Sequence, residues 1–409
     1  VAARLPWRSD CFIQAMAAQR WLQRQGIASN QNIGTRKDAQ GNFIGFRGTG
    51  ADITSFGDNG KIDLRTGLGR DNVRNIQPGS PGRVYKNFII MGSSTGEDYD
   101  APPGDIRAYN ILTGEMAWIF HTIPHPGEAG YEDWDPEAYR TVGGANAWGG
   151  MSVDDDRGIV YIPLGSATYD FFGGRRRGNN LYANSLVALD ANTGELRWHF
   201  QTVHHDLWDY DLVATPTLMT VTHNGRPLDI VVQAGKTGFL YVFDRVTGQP
   251  LWPIEERAVP ASDVPGEYAA PTQPFPTVVP PFVRQALTEA DLDPRLSPEE
   301  HAQIAARLRA ARNEGLFTPP SVDRDVVQMP GSHGGANWGS TGAEPSNGRY
   351  YVVGYDYPGM LNLQLSTSAG PTEGMSPTAA GAIQYQANCQ VCHGAEREGS
   401  GGLPELRQI

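Results

Sequence analysis

Three stretches carry one pattern: "AYNILTGEMAW" (residues 108–118), "ALDANTGELRW" (188–198) and "VFDRVTGQPLW" (242–252). In each, an Asn or Asp (Asn110, Asp190, Asp244) stands three residues before a Thr-Gly pair (Thr113-Gly114, Thr193-Gly194, Thr247-Gly248), and a Trp follows the Gly by four (Trp118, Trp198, Trp252). This predicts a hairpin: an apolar strand ends, the Asx residue and Gly make the turn, and the next strand carries a large indole inward, where it docks between neighbouring sheets. A weaker copy, "FRGTGADITSF" from Phe46, keeps Thr49-Gly50 but has Thr54 at the indole position.

Between these turns lie further strand pairs, "GRVYKNFIIMGS" (82–93), "RGIVYIPLGSA" (157–167) and "DIVVQAGKTGFLYVFD" (229–244), apolar runs bounded by Gly or polar turns. Irregular repeats of 54 to 80 residues, each worth about four strands, indicate an all-β chain of the β-propeller type with long inserted loops. The 49 Gly, 30 Pro and 9 Trp among 409 residues agree with many short strands and tight turns. An excess of 45 acidic over 33 basic residues, net −12, argues against nucleic acid, whose backbone needs clustered Lys and Arg. No window approaches eighteen uninterrupted apolar residues, which excludes a membrane-spanning helix within these positions.

Two stretches interrupt the repeats. Residues 253–296 are Pro-rich ("PTQPFPTVVPPF") and are expected to cross the surface in extended form. "SPEEHAQIAARLRAARNEG" (297–315) predicts a helical insertion over about 297–314, with Ser297 as N-cap, Pro298 in the first turn, Glu299 and Glu300 at the positive end and Gly315 as the stop. Residues 1–45 show neither strand alternation nor the repeat and stay unassigned. The repeat region therefore runs over 46–365, a linker over 366–380, and 381–409 open a separate segment.

That last segment holds Cys389-x-x-Cys392-His393. Two thiols can add across the vinyl groups of a heme while the adjacent imidazole ligates iron, so the motif predicts heme c with His393 as axial ligand. A bare CxxC leaves a redox dithiol or half a zinc site open, and a structural disulfide is the plain alternative; the following His selects heme attachment, and Cys11 is alone and remote. Only 16 residues follow His393 and no Met occurs after Met375, so the expectation is the start of an α-helical cytochrome c segment, truncated here.

"TVGGANAWGGMSVDDDRGIVYIPLGSATYDFFGG" (141–174), "WHFQTVHHDLWDYDL" (198–212), "QAGKTGFLYVFDRVTGQPLW" (233–252) and "MPGSHGGANWGSTG" (329–342) together resemble the pyrroloquinoline-quinone (PQQ) dependent dehydrogenases, nearest the membrane glucose dehydrogenase type, and the trailing heme motif is similar to the quinohemoprotein members. The resemblance spans residues 49–409. It implies an eight-bladed propeller, partial in this chain, with PQQ on the axis and a small-molecule alcohol or sugar as substrate. A cytochrome or quinone would be the downstream electron acceptor, and the compartment periplasmic or secreted.

Oxidising an alcohol carbon needs an electron acceptor, a base for the hydroxyl proton and a cation to polarise the acceptor carbonyl. The resemblance assigns the base to Asp209 in "HHDLWD" and the carbonyl-facing cation to Lys236 in "AGKTG", 27 residues on. Taken alone, Asp209 reads equally as a loop-capping acid and Lys236 as a solvated turn lysine. Trp148, beside Gly149 and Gly150, is the implied floor under the flat cofactor, and Asn337-Trp338 line its other edge. Ca2+ would take oxygen from Glu97 in "GSSTGE", from Asp209 and from the third ligand position, where this chain has Ser166 instead of the Asn of alcohol-oxidising relatives. A propeller that has lost or never had catalysis, serving as a binding or electron-transfer scaffold, is the competing reading.

Overall fold

The computed structural model describes residues 33–37, 43–47 and 54–364, apart from 71, 72, 74, 75 and 100, together with 376, 381 and 385. The "FRGTG" copy at Thr49-Gly50 and the Cys389, Cys392 and His393 motif lie outside the described residues. The described chain is all-β, in successive antiparallel sheets. Strands β1 (Ile33–Lys37), β2 (Phe43–Arg47) and β3 (Lys61–Ile62) form the first; β4 (Arg83–Tyr85), β5 (Phe88–Met91), β6 (Ile106–Asn110) and β7 (Met116–Phe120) the second. Strands β8 (Ser152–Asp154), β9 (Ile159–Pro163), β10 (Ser185–Asp190) and β11 (Leu196–Gln201) form the third; β12 (Thr217–His223), β13 (Arg226–Ala234) and β14 (Leu240–Asp244) the fourth. In these four sheets each strand pairs with its neighbour in sequence, so each of them is a meander.

Side chains of a strand alternate between faces, and here both faces are buried. In β9 and β10, Ile159, Tyr161, Leu186 and Ala188 join Val231, Tyr241 and Phe243 of the fourth sheet in one apolar cluster. Their alternates Val160, Ile162, Val187 and Leu189 join Ile90, Ile106 and Ala108 of the second sheet in another. The uninterrupted apolar run of "IVYIP" follows from this: a sheet sandwiched between two sheets has no solvent face to reserve for polar residues.

The Thr-Gly turn is the same three times, but only the first two open a paired strand: Gly248 is followed by an isolated bridge between Phe243 and Pro250, and Trp252 lies outside any strand. Oδ1 of Asn110, Asp190 and Asp244 accepts from the two N–H groups two and three residues ahead, at 2.8 to 3.2 Å. The N–H of Gly114, Gly194 and Gly248 donates back to the same Asx carbonyl, and those glycines take φ of +77°, +77° and +73°. The indole of one sheet covers the turn of the next. Trp118 Nε1 donates to Ala191 O at 3.3 Å, and Trp198 Nε1 to Arg245 O at 3.2 Å. A methyl group on Gly194 would come within 2.6 Å of the Trp118 ring, and one on Gly248 within 2.6 Å of Trp198, so those turns require glycine twice over.

Three expectations need correction. The Pro-rich stretch is not wholly extended surface chain: β15 (Ile254–Ala258) and β16 (Thr272–Pro276) pair as a hairpin within it. The inserted helix α2 (Pro298–Ala310), which follows the single-turn helix α1 (Ala138–Thr141), starts at the expected Ser297 capping box but ends four residues early. Arg312 draws the chain away, pairing its backbone with Asp325 and Val327 beside β17 (Val326–Gln328) and its side chain with Glu314 and Asp263. Residues 33–37 and 43–45, within the unassigned N-terminal stretch, are strand.

One buried acid gives the fold a pH dependence. Asp105, 2 % exposed before β6, accepts Thr122 N–H through Oδ1 while Oδ2 meets no partner among the described residues, and burial pushes its carboxyl up to about 6 despite His121, Arg107 and Arg70 nearby. A carboxyl whose folded pKa is raised binds its proton more tightly when folded, so the stabilisation is present below pH 4 and disappears as pH rises through 6. Relative to Asp105→Asn, the wild type should lose up to about 3 kcal/mol between pH 4 and pH 7.5. Urea unfolding at both values measures this, and parallel curves for the two proteins would refute it.

Candidate functional site

In a meander, the connection between the second and third strands and the passage to the next sheet fall on one side, opposite the Thr-Gly turns. That side carries the site. A cavity of about 200 Å³ is lined by Glu97 and neighbours from the β5–β6 connection, by Gly144, Asn146 and Trp148 from the passage into β8, by Ser166, Thr168 and Asp170 from the β9–β10 connection, and by Asp209 and Asp211 from the passage into β12.

Lys236 sits at the tip of the tight β13–β14 turn, closed by Gly235 N–H donating to Phe239 O, with Gly238 at φ +81°. It is 4 % exposed, and its Nζ donates to Asp209 Oδ1 at 2.9 Å and Asp211 Oδ2 at 3.0 Å, 5.8 Å from the Trp148 ring centre. Burial opposes its charge, but Asp211 and Asp209 outweigh that and raise its pKa above the ordinary lysine value.

Asp206 organises the loop bearing Asp209. Its Oδ1 accepts Trp208 N–H at 2.9 Å, and its Oδ2 accepts Tyr210 N–H at 2.7 Å, Asn184 Nδ2–H at 2.8 Å and the Ser166 hydroxyl. The arrangement holds Asp209 at φ +58°, a region that non-glycine residues seldom occupy and that clusters at functional sites. Trp208, next to Asp209 in the chain, has its indole fully buried against Tyr210 and Phe317 and donating to Thr318 O. Burial among acids raises the Asp209 carboxyl, with Asp211 adding repulsion and Lys236 only partly offsetting it.

Trp148 is half-buried at the cavity, with Nε1 donating to Asp211 Oδ2 at 3.1 Å. Its two glycine neighbours serve a different end from leaving room for a ligand. A Cβ on Gly149 would collide with the Val213 carbonyl and one on Gly150 with the Thr215 hydroxyl, so small residues let this strand lie against the chain entering β12.

The structure does not bring Asn337 and Trp338 into the cavity lining. Asn337 Nδ2 donates to His333 O and its Oδ1 accepts from Trp338 N, so the amide closes its own loop, and the Trp338 ring is 57 % exposed. What that loop contributes is backbone: Gly335 N–H donates to Lys236 O at 2.6 Å.

Glu97, Ser166 and Asp209 line one cavity, as the calcium pattern requires, and their hard oxygen donors suit that ion. With Glu97, Asp209 and Asp211, Asp170 is a fourth acid in the lining, 5 % exposed with no hydrogen-bond donor among the described residues. Its carboxyl is pushed well up by burial and by Asp211 and Glu97. Such uncompensated acid favours a divalent cation. Among the described residues no three His, Cys, Asp or Glu groups converge on one point, so serine and ligands from a bound molecule would have to complete a shell. Asp170 and Asp211 were not singled out from the sequence, though the alternate acids in "WDYDL" could have drawn attention to Asp211.

Solved structures share this fold. The quinohemoprotein alcohol dehydrogenase from Comamonas testosteroni superposes with a TM-score of 0.55 over 80 % of this chain and 43 % of that one at 22 % identity. A europium-containing methanol dehydrogenase gives 0.53 over 78 % and 50 % at 21 % identity. Fold and site together thus define a β-propeller protein with an acidic cavity lined by an indole, two of whose acids hold a buried lysine. The chain belongs to the family described as PQQ glucose/ethanol/alcohol dehydrogenase β-propeller domain, whose model matches residues 44–400. It is 36 % identical to the quinate/shikimate dehydrogenase (quinone) of Acinetobacter baylyi over 75 % of this chain and 38 % of that protein. It is 34 % identical to the glycerol dehydrogenase large subunit of Gluconobacter oxydans over 73 % and 40 %, and 33 % identical to the quinoprotein glucose dehydrogenase of Escherichia coli over 71 % and 36 %. The chain spans about two fifths of the length of these relatives. Residues 1–45 separately match a transglutaminase-like superfamily model, a short match beside that of the rest of the chain.

Proposed function

We propose that the protein is a PQQ-dependent dehydrogenase that oxidises the alcohol carbon of a sugar, polyol or related small alcohol. One observation carries the reading: Asp209, Lys236 and Trp148, assigned from three separate sequence motifs, meet at one place, with the ammonium 2.9 Å from the carboxylate and 5.8 Å from the indole centre. PQQ, when bound, supplies the two-electron acceptor. Trp148 offers it a flat apolar floor. Lys236, whose ammonium is locked in place by two acids, provides fixed positive charge for the carbonyl edge. Asp209 accepts the substrate hydroxyl proton at Oδ2, since Oδ1 is engaged by Lys236. Glu97, Ser166 and Asp209 would hold Ca2+, and Asn337 with Trp338 would reach the cofactor only if their loop reorganised.

The same proposal includes a propeller of the eight-bladed type, of which this chain is part, with indole docking between its sheets, and heme c on Cys389 and Cys392 with His393 as ligand. Residues 366–380 serve as linker and 381–409 as part of a cytochrome segment. Electrons then leave singly to a cytochrome or quinone, in the periplasm or outside the cell, where heme attachment and PQQ loading take place. A non-catalytic scaffold draws its support from Ser166 and from the exposed Trp338. Purified protein given PQQ and Ca2+ should reduce a dye with glucose, glycerol or quinate as donor. Heme staining after denaturing electrophoresis reads the second half. Absence of PQQ uptake would favour the scaffold.

A further inference from the structure

We propose that Asp211 is the positioning residue of this site, a single carboxylate that sets the plane of the Trp148 indole, the place of the Lys236 ammonium and the backbone at Ser166 in one register. The inference rests on the reading above for what Trp148 and Lys236 face. Its own basis is geometric. Asp211 Oδ1 accepts Ser166 N–H at 2.6 Å, and Oδ2 accepts both Trp148 Nε1–H at 3.1 Å and Lys236 Nζ at 3.0 Å. The residue is 7 % exposed, and its backbone carbonyl faces Lys236 N–H at 3.4 Å.

The three partners come from three different connections, so no local structure fixes them relative to one another. Close packing fixes the main chain around Trp148: Ser80 Oγ donates to its carbonyl at 2.7 Å, and Gly149 and Gly150 lie against residues 213 and 215. None of this determines the rotation of the ring about its side-chain bonds. The indole N–H has one acceptor, Asp211, and that acceptor is itself anchored by a backbone N–H and a buried ammonium. The indole bond is of ordinary length, and what suits this acceptor to hold a ring plane is that two other donors fix it in place. Three donors on two oxygens also account for why a deeply buried acid stays ionised. Burial opposes ionisation, and Lys236, Ser166 N–H and Trp148 overcome it.

Asp211→Asn keeps the shape and one acceptor oxygen but turns an amide NH2 toward the indole and the ammonium. Two couplings test the role. In near-ultraviolet circular dichroism, the difference between wild type and Trp148→Phe reports the Trp148 ring alone. In the Asp211→Asn background that difference should shrink by more than half; an unchanged difference spectrum overturns the proposal. Asp211→Asn should weaken PQQ binding about tenfold in the wild type and under about twofold in Trp148→Phe, since contacting residues couple while independent ones add. Additive losses also overturn it, as a merely structural acid would act equally in both backgrounds. Should wild type bind no PQQ, the proposed function falls while the difference spectra still decide the role of Asp211. Should Asp211→Asn fail to fold, the Trp148 indole N–H, assigned by its loss in Trp148→Phe, is followed by hydrogen exchange in the wild type. Protection far above that of an exposed indole supports the proposal, and exchange at the exposed rate overturns it.

Discussion

Asp209→Asn should lower dye reduction with PQQ and Ca2+ present by about two to four orders of magnitude, the range over which a positioned general base acts. The amide cannot accept the proton, and it is close enough in shape to leave the loop intact, because Asp206 rather than Asp209 makes the hydrogen bonds that shape it. KM should change little and kcat should carry the loss, since the proton moves only as the reaction proceeds. Activity within about threefold of wild type would remove Asp209 from the chemistry. Unfolding curves of the variant guard against the trivial cause.

Trp198→Ala should cost about 3 to 5 kcal/mol of stability, the usual range for deleting a buried large aromatic. The indole touches Tyr161 and Phe243 at ring-centre distances of 5.9 and 5.7 Å, donates to Arg245 O and covers Gly248, so its removal opens the seam between the third and fourth sheets. Denaturant unfolding checks the value. Trp198→Phe should recover part of it, since the ring contacts return while the hydrogen bond does not. A loss below about 1 kcal/mol would mean that the seam is held elsewhere.

The strands and the site were legible to different depths, for physical reasons. Asn110, Asp190 and Asp244 with their glycines specify a turn within four residues, and such local chemistry needs no tertiary knowledge to read. Asp209, Lys236 and Trp148 were legible as types because base, cation and flat floor are distinct chemistries. Their meeting was not, because it depends on how connections from separate sheets converge. Asp211 escaped notice for the same reason: an acid that accepts three hydrogen bonds looks, in a sequence, like any other acid. Trp338 was placed by motif order alone, and its loop instead spends Asn337 on its own carbonyl and its glycine N–H on Lys236. The early end of α2 depended on Arg312 finding Asp263, 49 residues away in the chain.

The covered Thr-Gly turns have a bearing on protein engineering. Each is roofed by an indole from the adjacent sheet, so any lengthening there would pry a seam apart, whereas the β12–β13 turn at Asn224-Gly225 is exposed, and a Cβ on Gly225 would meet nothing within 4 Å. Foreign peptide grafted at Asn224-Gly225 should be accepted, while the same graft at Thr193-Gly194 should not yield folded protein.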